Sequence, residues 1–254
     1  MAKYRSIFVS DVHLGTIPCK ARQLDRFLKQ NSCDNLYLVG DIVDGWLLRR
    51  EYFWPQSHTD VVRRILTIAR NGAKVYYISG NHDEVLRNFS SYELSFGKIQ
   101  IVDEVVHETA AGKKVMVVHG DIFDGLVKSN AFTFILKIIG ILLYKISFNV
   151  SRLVNFILSP FRKAKWSLTE TVKRVLRLDA LASLCGFKNR AVKYAKKNDC
   201  DAIICGHTHV PGIEVIDDVI YMNDGDWVDS MTAIVEHHDG TFELIDYRRY
   251  IRPR

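Results

Sequence analysis

The sequence predicts an α/β fold in which two packed β-sheets are interrupted by an inserted helical cap. Three observations predict it. From Ile7 to Ser79, short apolar runs alternate with amphipathic stretches, the β-α-β-α-β order that builds a parallel sheet with helical crossovers. After Pro211, brief strand-like segments are separated by Asp-Asp and Asp-Gly pairs. Between these halves, from 126 to 197, the alternation stops and long apolar, basic stretches replace it.

Ile7–Ser10, Leu36–Val39 and Val75–Ser79 are short apolar runs, the pattern of strands buried on both faces. Lys20–Asn31 carries Leu24, Phe27 and Leu28 at helical spacing, and Thr59–Asn71 carries Val62, Ile65, Leu66 and Ala69. Asn71-Gly72 is a helix stop. Lys114–Val118 and Ala202–Cys205 read as further strands. Ile213–Ile216, Val219–Met222, Thr232–Glu236 and Thr241–Ile245 then predict a second, more antiparallel sheet, with turns at Asp217-Asp218 and Asp239-Gly240. In the insert, Ala131–Leu143, Ser147–Leu158, Ser167–Leu178 and Phe187–Lys197 read as helices. The predicted organisation is a main domain over 1–125 and 198–254 with a cap over 126–197.

The net charge of +6 conceals a strong asymmetry. Residues 126–197 hold 15 Lys or Arg against only Glu170 and Asp179, a net +13; the rest holds 20 basic and 27 acidic residues, a net −7. A basic patch of this density suits phosphate-bearing ligands or anionic lipid. It lacks the interleaved aromatics and glycine-rich loops of a nucleic-acid surface, so no nucleic-acid partner is expected. The five cysteines are scattered and never spaced as CxxC, which excludes a zinc knuckle and fits a reducing compartment. The chain opens directly on a strand without a charged leader and apolar core, so a cytoplasmic protein is expected.

Five fragments carry the chemistry: Asp11-Val12-His13, Gly40-Asp41-Ile42-Val43-Asp44, Gly80-Asn81-His82-Asp83, His119-Gly120-Asp121 and Gly206-His207-Thr208-His209. Most follow an apolar run directly, so their side chains gather at the carboxyl ends of strands, where open α/β sheets bind ligands. Asp11, His13, Asp41, Asn81, His119, His207 and His209 offer enough oxygen and imidazole donors for two divalent ions sharing one carboxylate. The mixed donor set suits Mn²⁺, Fe or Zn²⁺ over Ca²⁺ or Mg²⁺. Two ions about 3.5–4 Å apart form a clamp for displacement at phosphorus. Asp121, Asp124 and Asn223-Asp224-Gly225-Asp226 are either supporting groups or turn caps. Trp46 and Arg49-Arg50 either rim a substrate site or form a solvated loop, and His58, His107, His237 and His238 read as packing or surface histidines.

In this order the fragments resemble the calcineurin-like metallophosphoesterase superfamily, whose pattern is DxH, GDxxD, GNH(D/E), H and GHxH. The resemblance implies a two-sheet sandwich flanked by helices. It also implies one metal held by Asp11, His13, Asp41 and His209 and a second held by Asp41, Asn81, His119 and His207, with Mn²⁺ as the expected ion. His82 would then act on the leaving oxygen, with Asp44 orienting its ring, and Asn81 and His82 would meet the substrate phosphate. The segments DVHLG, GDIVDGW and GHTHVP, with the long insert before GHTH, are further similar to the UDP-2,3-diacylglucosamine pyrophosphohydrolase branch. Well-known members of that branch carry arginine at the position of His82.

The cap sets the expected substrate. Lys137, Lys145 and Arg152 recur on apolar helices, and Arg162, Lys163 and Lys165 flank Trp166. An interfacial helix has this composition, whereas Lys137 and Lys145 break the run before a span of ~20 residues is reached. Either the cap only packs on the main domain, or it encloses the acyl chains of an amphiphilic phosphoester. The second reading makes Arg49, Lys137, Lys145 and Trp166 candidate substrate contacts. It predicts a lipid-linked substrate and a peripheral position on the inner membrane. A soluble nucleotide substrate, or a binding protein with a vestigial metal site, are the competing readings.

Overall fold

A computed structural model describes residues 2–86, 95–96, 99–124 and 184–251. The predicted helices Ala131–Leu143, Ser147–Leu158 and Ser167–Leu178, with Lys137, Lys145, Arg152 and Trp166, lie outside the described residues. The chain divides into two compact units, Met1–Phe123 with Ala191–Arg254, and Asp124–Arg190.

The first sheet begins as the sequence pattern predicts. Strand β1 (Ala2–Val9) leads through helix α1 (Ala21–Gln30) to β2 (Asn31–Val39), and β2 leads through a one-turn helix α2 (Gly45–Leu48) and helix α3 (Gln56–Arg70) to β3 (Lys74–Ile78). These three strands pair in parallel. Beyond them come β4 (Ser95–Phe96) and β5 (Ile99–Val102), which extend this sheet at its β3 edge. Asn71 ends α3 and Gly72 turns the chain at φ +112°, the left-handed conformation that glycine adopts without steric cost.

The second sheet takes its strands from both halves of the chain: β6 (Glu104–Glu108), β7 (Lys114–Val118), β8 (Ala202–Cys205), β9 (Gly212–Ile216) and β10 (Val219–Asn223), in the order β6-β7-β8-β10-β9. A helix α4 over 184–197 precedes β8 and contains the predicted Phe187–Lys197 segment. The β9–β10 hairpin turns on Asp217 and Asp218, both at positive φ (48° and 66°), as a tight two-residue turn requires.

One expectation is corrected. Strands β11 (Thr232–Glu236) and β12 (Phe242–Asp246) do not join the second sheet; β11 pairs antiparallel with β1 and carries β12 beyond it, giving the order β12-β11-β1-β2-β3-β5-β4. The short helix α5 (Arg248–Ile251) follows.

Alternation along the strands splits the core in two, because successive side chains point to opposite faces. Phe8, Tyr37, Val39, Ile78 and Ile234 of the first sheet pack with Val115, Val117, Ala202, Ile204 and Met222 of the second. Ile7, Val9, Leu36, Leu38 and Val235 point the other way and pack under Leu24, Phe27, Val61 and Ile65 of α1 and α3. Ala191, Val192 and Ala195 of α4 are also buried. The architecture is the expected helix-flanked sandwich.

Candidate metal centre

The carboxyl ends of β1, β2, β3, β7 and β8 deliver the five fragments to one rim. Asp11 and His13 follow β1, Asp41 and Asp44 follow β2, Asn81 and His82 follow β3, His119 follows β7, and His207 and His209 follow β8. Backbone hydrogen bonds carry the β1–β2 ladder on into the loops: Asp11 N–H to Gly40 O (3.1 Å), His13 N–H to Asp41 O (2.9 Å) and Asp44 N–H to Leu14 O (2.8 Å). Across the other sheet, Gly206 N–H donates to His119 O (3.1 Å).

Two glycines let these loops close. A Cβ on Gly40, at φ +80°, would fall on the His119 ring, and one on Gly80 would meet the Asp41 carboxylate and main chain. The backbones of the candidate ligands are themselves strained. Asp11, His13, Asp41, His207 and His209 sit at φ of 48°, 51°, 54°, 64° and 55°. Each such residue costs about 1–3 kcal/mol, and such conformations cluster at functional sites.

Among the described residues, three groups each bring their donor atoms within 4.8 Å of one another: Asp11, His13 and His209; Asp41, His119 and His207; and His13, Asp41 and His82. Asp11 Oδ1 is 3.2 Å from His209 Nε2 and 3.9 Å from His13 Nε2, and Asp41 Oδ2 is 3.4 Å from His119 Nε2. Asp11 Oδ1, Asn81 Oδ1 and His119 Nε2 are buried without a hydrogen-bond partner. Buried polar atoms are otherwise almost always paired, so three orphans from three candidate ligands fit a cation at their focus.

The electrostatics agree. Burial works against protonating His119, but the Asp41 carboxylate facing its Nε2 at 3.4 Å and the nearby Asp11 charge outweigh that and raise it to about 10. The Asp11 and Asp226 carboxylates facing its two ring nitrogens raise His209 to about 10 as well. The field that holds protons there also draws divalent cations, which compete for the same nitrogens.

Surrounding groups fix the ligand orientations. His119 Nδ1–H donates to Val39 O (2.9 Å). Asp11 Oδ2 accepts from Ser10 Oγ (2.5 Å) and from His207 N–H (2.8 Å), and Asp41 Oδ1 accepts from His82 N–H (2.8 Å). Ser10 Oγ also lies 2.6 Å from Asp224 Oδ1. Burial raises Asp224 well above the usual carboxylate range.

His82 stands beside the cluster. Asp44 Oδ2 lies 2.9 Å from its Nδ1, the His13 ring meets it edge-on at 4.8 Å, and Trp46 covers it at 4.7 Å with a 34° tilt. Trp46 thus faces the site, whereas Arg49 is exposed at the end of α2.

Sequence reasoning left several supports unassigned. Asp83 Oδ2 accepts from Ile42 N–H (3.0 Å) and Tyr77 OH (2.7 Å), and its Oδ1 accepts from Gly80 N–H (2.5 Å), tying two fragments together. His58 is buried, and its Nδ1 accepts from Gly15 N–H (3.0 Å) below the first fragment. The last position of the GNH(D/E) pattern was the signal for Asp83, and His58 had none.

A profile of the family described as calcineurin-like phosphoesterase matches residues 4–211. The chain belongs to that family. It is a metal-dependent phosphoester hydrolase, and the donors grouped here fit the divalent ions such enzymes use. The phosphoesterase is similar to UDP-2,3-diacylglucosamine hydrolase of Blochmanniella pennsylvanica, with 26% identity over 220 residues, 83% of this chain and 81% of the relative. The match to the Aeromonas hydrophila protein of the same name is 29% identical over 121 residues, 46% of this chain and about half (48%) of the relative. A solved archaeal phosphodiesterase aligns at a TM-score of 0.46 with 14% identity, over 94% of this chain and 98% of that one. No helix among the described residues is long and apolar enough to cross a membrane.

Proposed function

We propose that this phosphoesterase hydrolyses the pyrophosphate of a lipid-linked substrate of the UDP-2,3-diacylglucosamine type, in the cytoplasm at the inner membrane surface, with Mn²⁺ as its preferred ion. The observation that carries the reading is the similarity to a UDP-2,3-diacylglucosamine hydrolase over 83% of the chain. The basic, apolar composition of 126–197 supports it, because a lipid phosphate needs both characters in its binding surface.

Asp11, His13, Asp41 and His209 would hold one ion, and Asp41, Asn81, His119 and His207 the other. Bound there, the two ions supply charge neutralisation at the phosphoryl oxygens and activation of water. His82 then protonates the departing oxygen, and Asp44 keeps its Nδ1 occupied so that Nε2 faces the reaction. Trp46 limits the swing of that ring. Arg49, Lys137, Lys145 and Trp166 are the proposed contacts to the remainder of the substrate.

One observation favours a second reading. A histidine fixed by a carboxylate is most useful against a poor leaving group, such as the alkoxide of an ordinary phosphodiester. A departing phosphate needs less help. A soluble phosphodiester or phosphomonoester of a nucleotide is therefore the alternative. The orphaned donor atoms argue against a vestigial metal site.

Hydrolysis of a diacylated UDP-sugar, measured beside soluble nucleotides, separates the two. Polar substitutions at Phe134, Ile138 or Leu142 should impair the diacylated substrate far more than the soluble ones, since each buried CH₂ contact is worth about 0.8 kcal/mol. Equal losses on both substrate classes overturn the lipid reading.

A further inference from the structure

We propose that Asp226 is the positioning residue for His209: its carboxylate holds the Nδ1 side of the ring so that Nε2 faces Asp11 and the cation-binding focus. This assignment rests on the metal-centre reading above and adds a residue that none of the five fragments contains.

Asp226 is 2% exposed and lies just after β10. Its two oxygens have separate partners. Oδ1 accepts backbone N–H groups from Val228 (2.8 Å), Asp229 (2.5 Å) and Ser230 (3.0 Å), which locks the carboxylate plane. Oδ2 is left facing His209 Nδ1 at 3.5 Å, while His209 Nε2 lies 3.2 Å from Asp11 Oδ1 on the far side of the ring. The His209 side chain is 40% exposed, so packing alone holds it weakly. Its one ring neighbour among the candidate ligands is His13, roughly parallel at 5.6 Å and 17°. The two carboxylates therefore define its orientation.

His119 and His13 obey the same rule. His119 directs Nδ1 to Val39 O at 2.9 Å, and His13 directs Nδ1 to Asp44 Oδ2 at 3.3 Å. In each case Nδ1 is turned to an outer acceptor and Nε2 is turned inward. An outer acceptor sets the tautomer and raises the basicity of the ligating nitrogen. Three backbone N–H groups on Oδ1 favour the ionised carboxylate, so Asp226 stays an acceptor. The same loop also binds the first fragment, because Trp227 N–H donates to Asp11 O at 3.1 Å. One turn thus fixes the main chain of one candidate ligand and the ring of another.

Asp226→Asn isolates the effect. The amide oxygen still accepts the three backbone N–H groups, while the NH₂ facing His209 cannot accept from Nδ1. Mn²⁺ titrated calorimetrically into the metal-free, full-length protein should show two sites in the wild type. In the variant, one site should be weaker by roughly 10–100-fold and the other unchanged. In a His209→Ala background, adding Asp226→Asn should weaken Mn²⁺ binding no further. Unchanged affinity in Asp226→Asn, or an equal loss with and without His209, overturns the assignment. Wild-type protein that binds no Mn²⁺ overturns the metal centre itself and this assignment with it. Should Asp226→Asn fail to fold, ¹⁵N-histidine spectra of the Zn²⁺-loaded wild type decide instead: a proton on His209 Nδ1 supports the positioning role, and a proton on Nε2 overturns it.

Discussion

Asp44 and His82 are joined at 2.9 Å through Asp44 Oδ2, and the same oxygen lies 3.3 Å from Nδ1 of His13. One carboxylate atom therefore orients both a candidate metal ligand and the candidate acid. Its other oxygen caps α2 by accepting from Leu47 N–H at 2.8 Å, which places Trp46 over the His82 ring. Candidate acid, candidate ligand and aromatic cover are set by one side chain.

His82→Ala should leave metal content intact and lower kcat by roughly 10²–10⁴, the usual contribution of a positioned acid. The loss should shrink as the leaving group improves. Asp44→Asn should lower kcat as well and also loosen the site containing His13. Metal analysis beside a leaving-group series tells the two variants apart; loss of metal in His82→Ala would make His82 a ligand.

Asp41→Ala should abolish turnover and empty both positions, because two cations lose the anion between them. Elemental analysis of the purified variant checks this. Two retained ions with normal turnover would sink the dinuclear assignment.

Gly80→Ala places a Cβ against the Asp41 carboxylate and backbone nitrogen. Overpacking of this kind costs about 1–3 kcal/mol, a fall in Tm of roughly 2–4 °C per kcal/mol in a chain of this size. Activity should fall further than stability, since the displaced atom is a candidate ligand. A calorimetric melt beside kcat/KM compares the two losses.

Away from the centre, Glu236 links both sheets and has its own pH signature. It is fully buried, accepting from Arg5 (2.6 Å) and Ser6 (2.7 Å) on β1 and lying 2.8 Å from His107 Nε2 on β6. Burial would raise its carboxyl, but the hydrogen bonds from His107, Ser6 and Ala110 N–H prevail and bring it down from 4.5 to about 2. The folded value is the lower one, so its stabilisation is complete above pH 4.5 and is lost as the pH falls through 2. Glu236→Gln should cost about 1.5–3 kcal/mol at neutral pH. In denaturant titrations, the gap between wild type and variant should close between pH 4.5 and 2.

What the sequence determined by itself is the parallel β1-β2-β3 part of the first sheet and the list of candidate metal-binding fragments. Leu36–Val39 and Val75–Ser79 are apolar runs between amphipathic helices, and such local patterns need no distant partner to be read. The donors stand out for the same reason: Asp11 and His13, or His207 and His209, are near neighbours in the chain. Tertiary structure decided whatever depends on long-range pairing. The pattern of β11 is that of a strand in any sheet, and only its hydrogen bonds to β1 place it. His107 and Glu236 lie 129 residues apart and meet because β6 and β11 belong to facing sheets. Asp226 reaches His209 only after β9 and β10 fold back beside β8. The left-handed backbone at Asp11, His13, Asp41, His207 and His209 is imposed in the same way. Aspartate and histidine only tolerate it better than most residues, and the packed strand ends and hydrogen-bonded loops around them hold it against its cost.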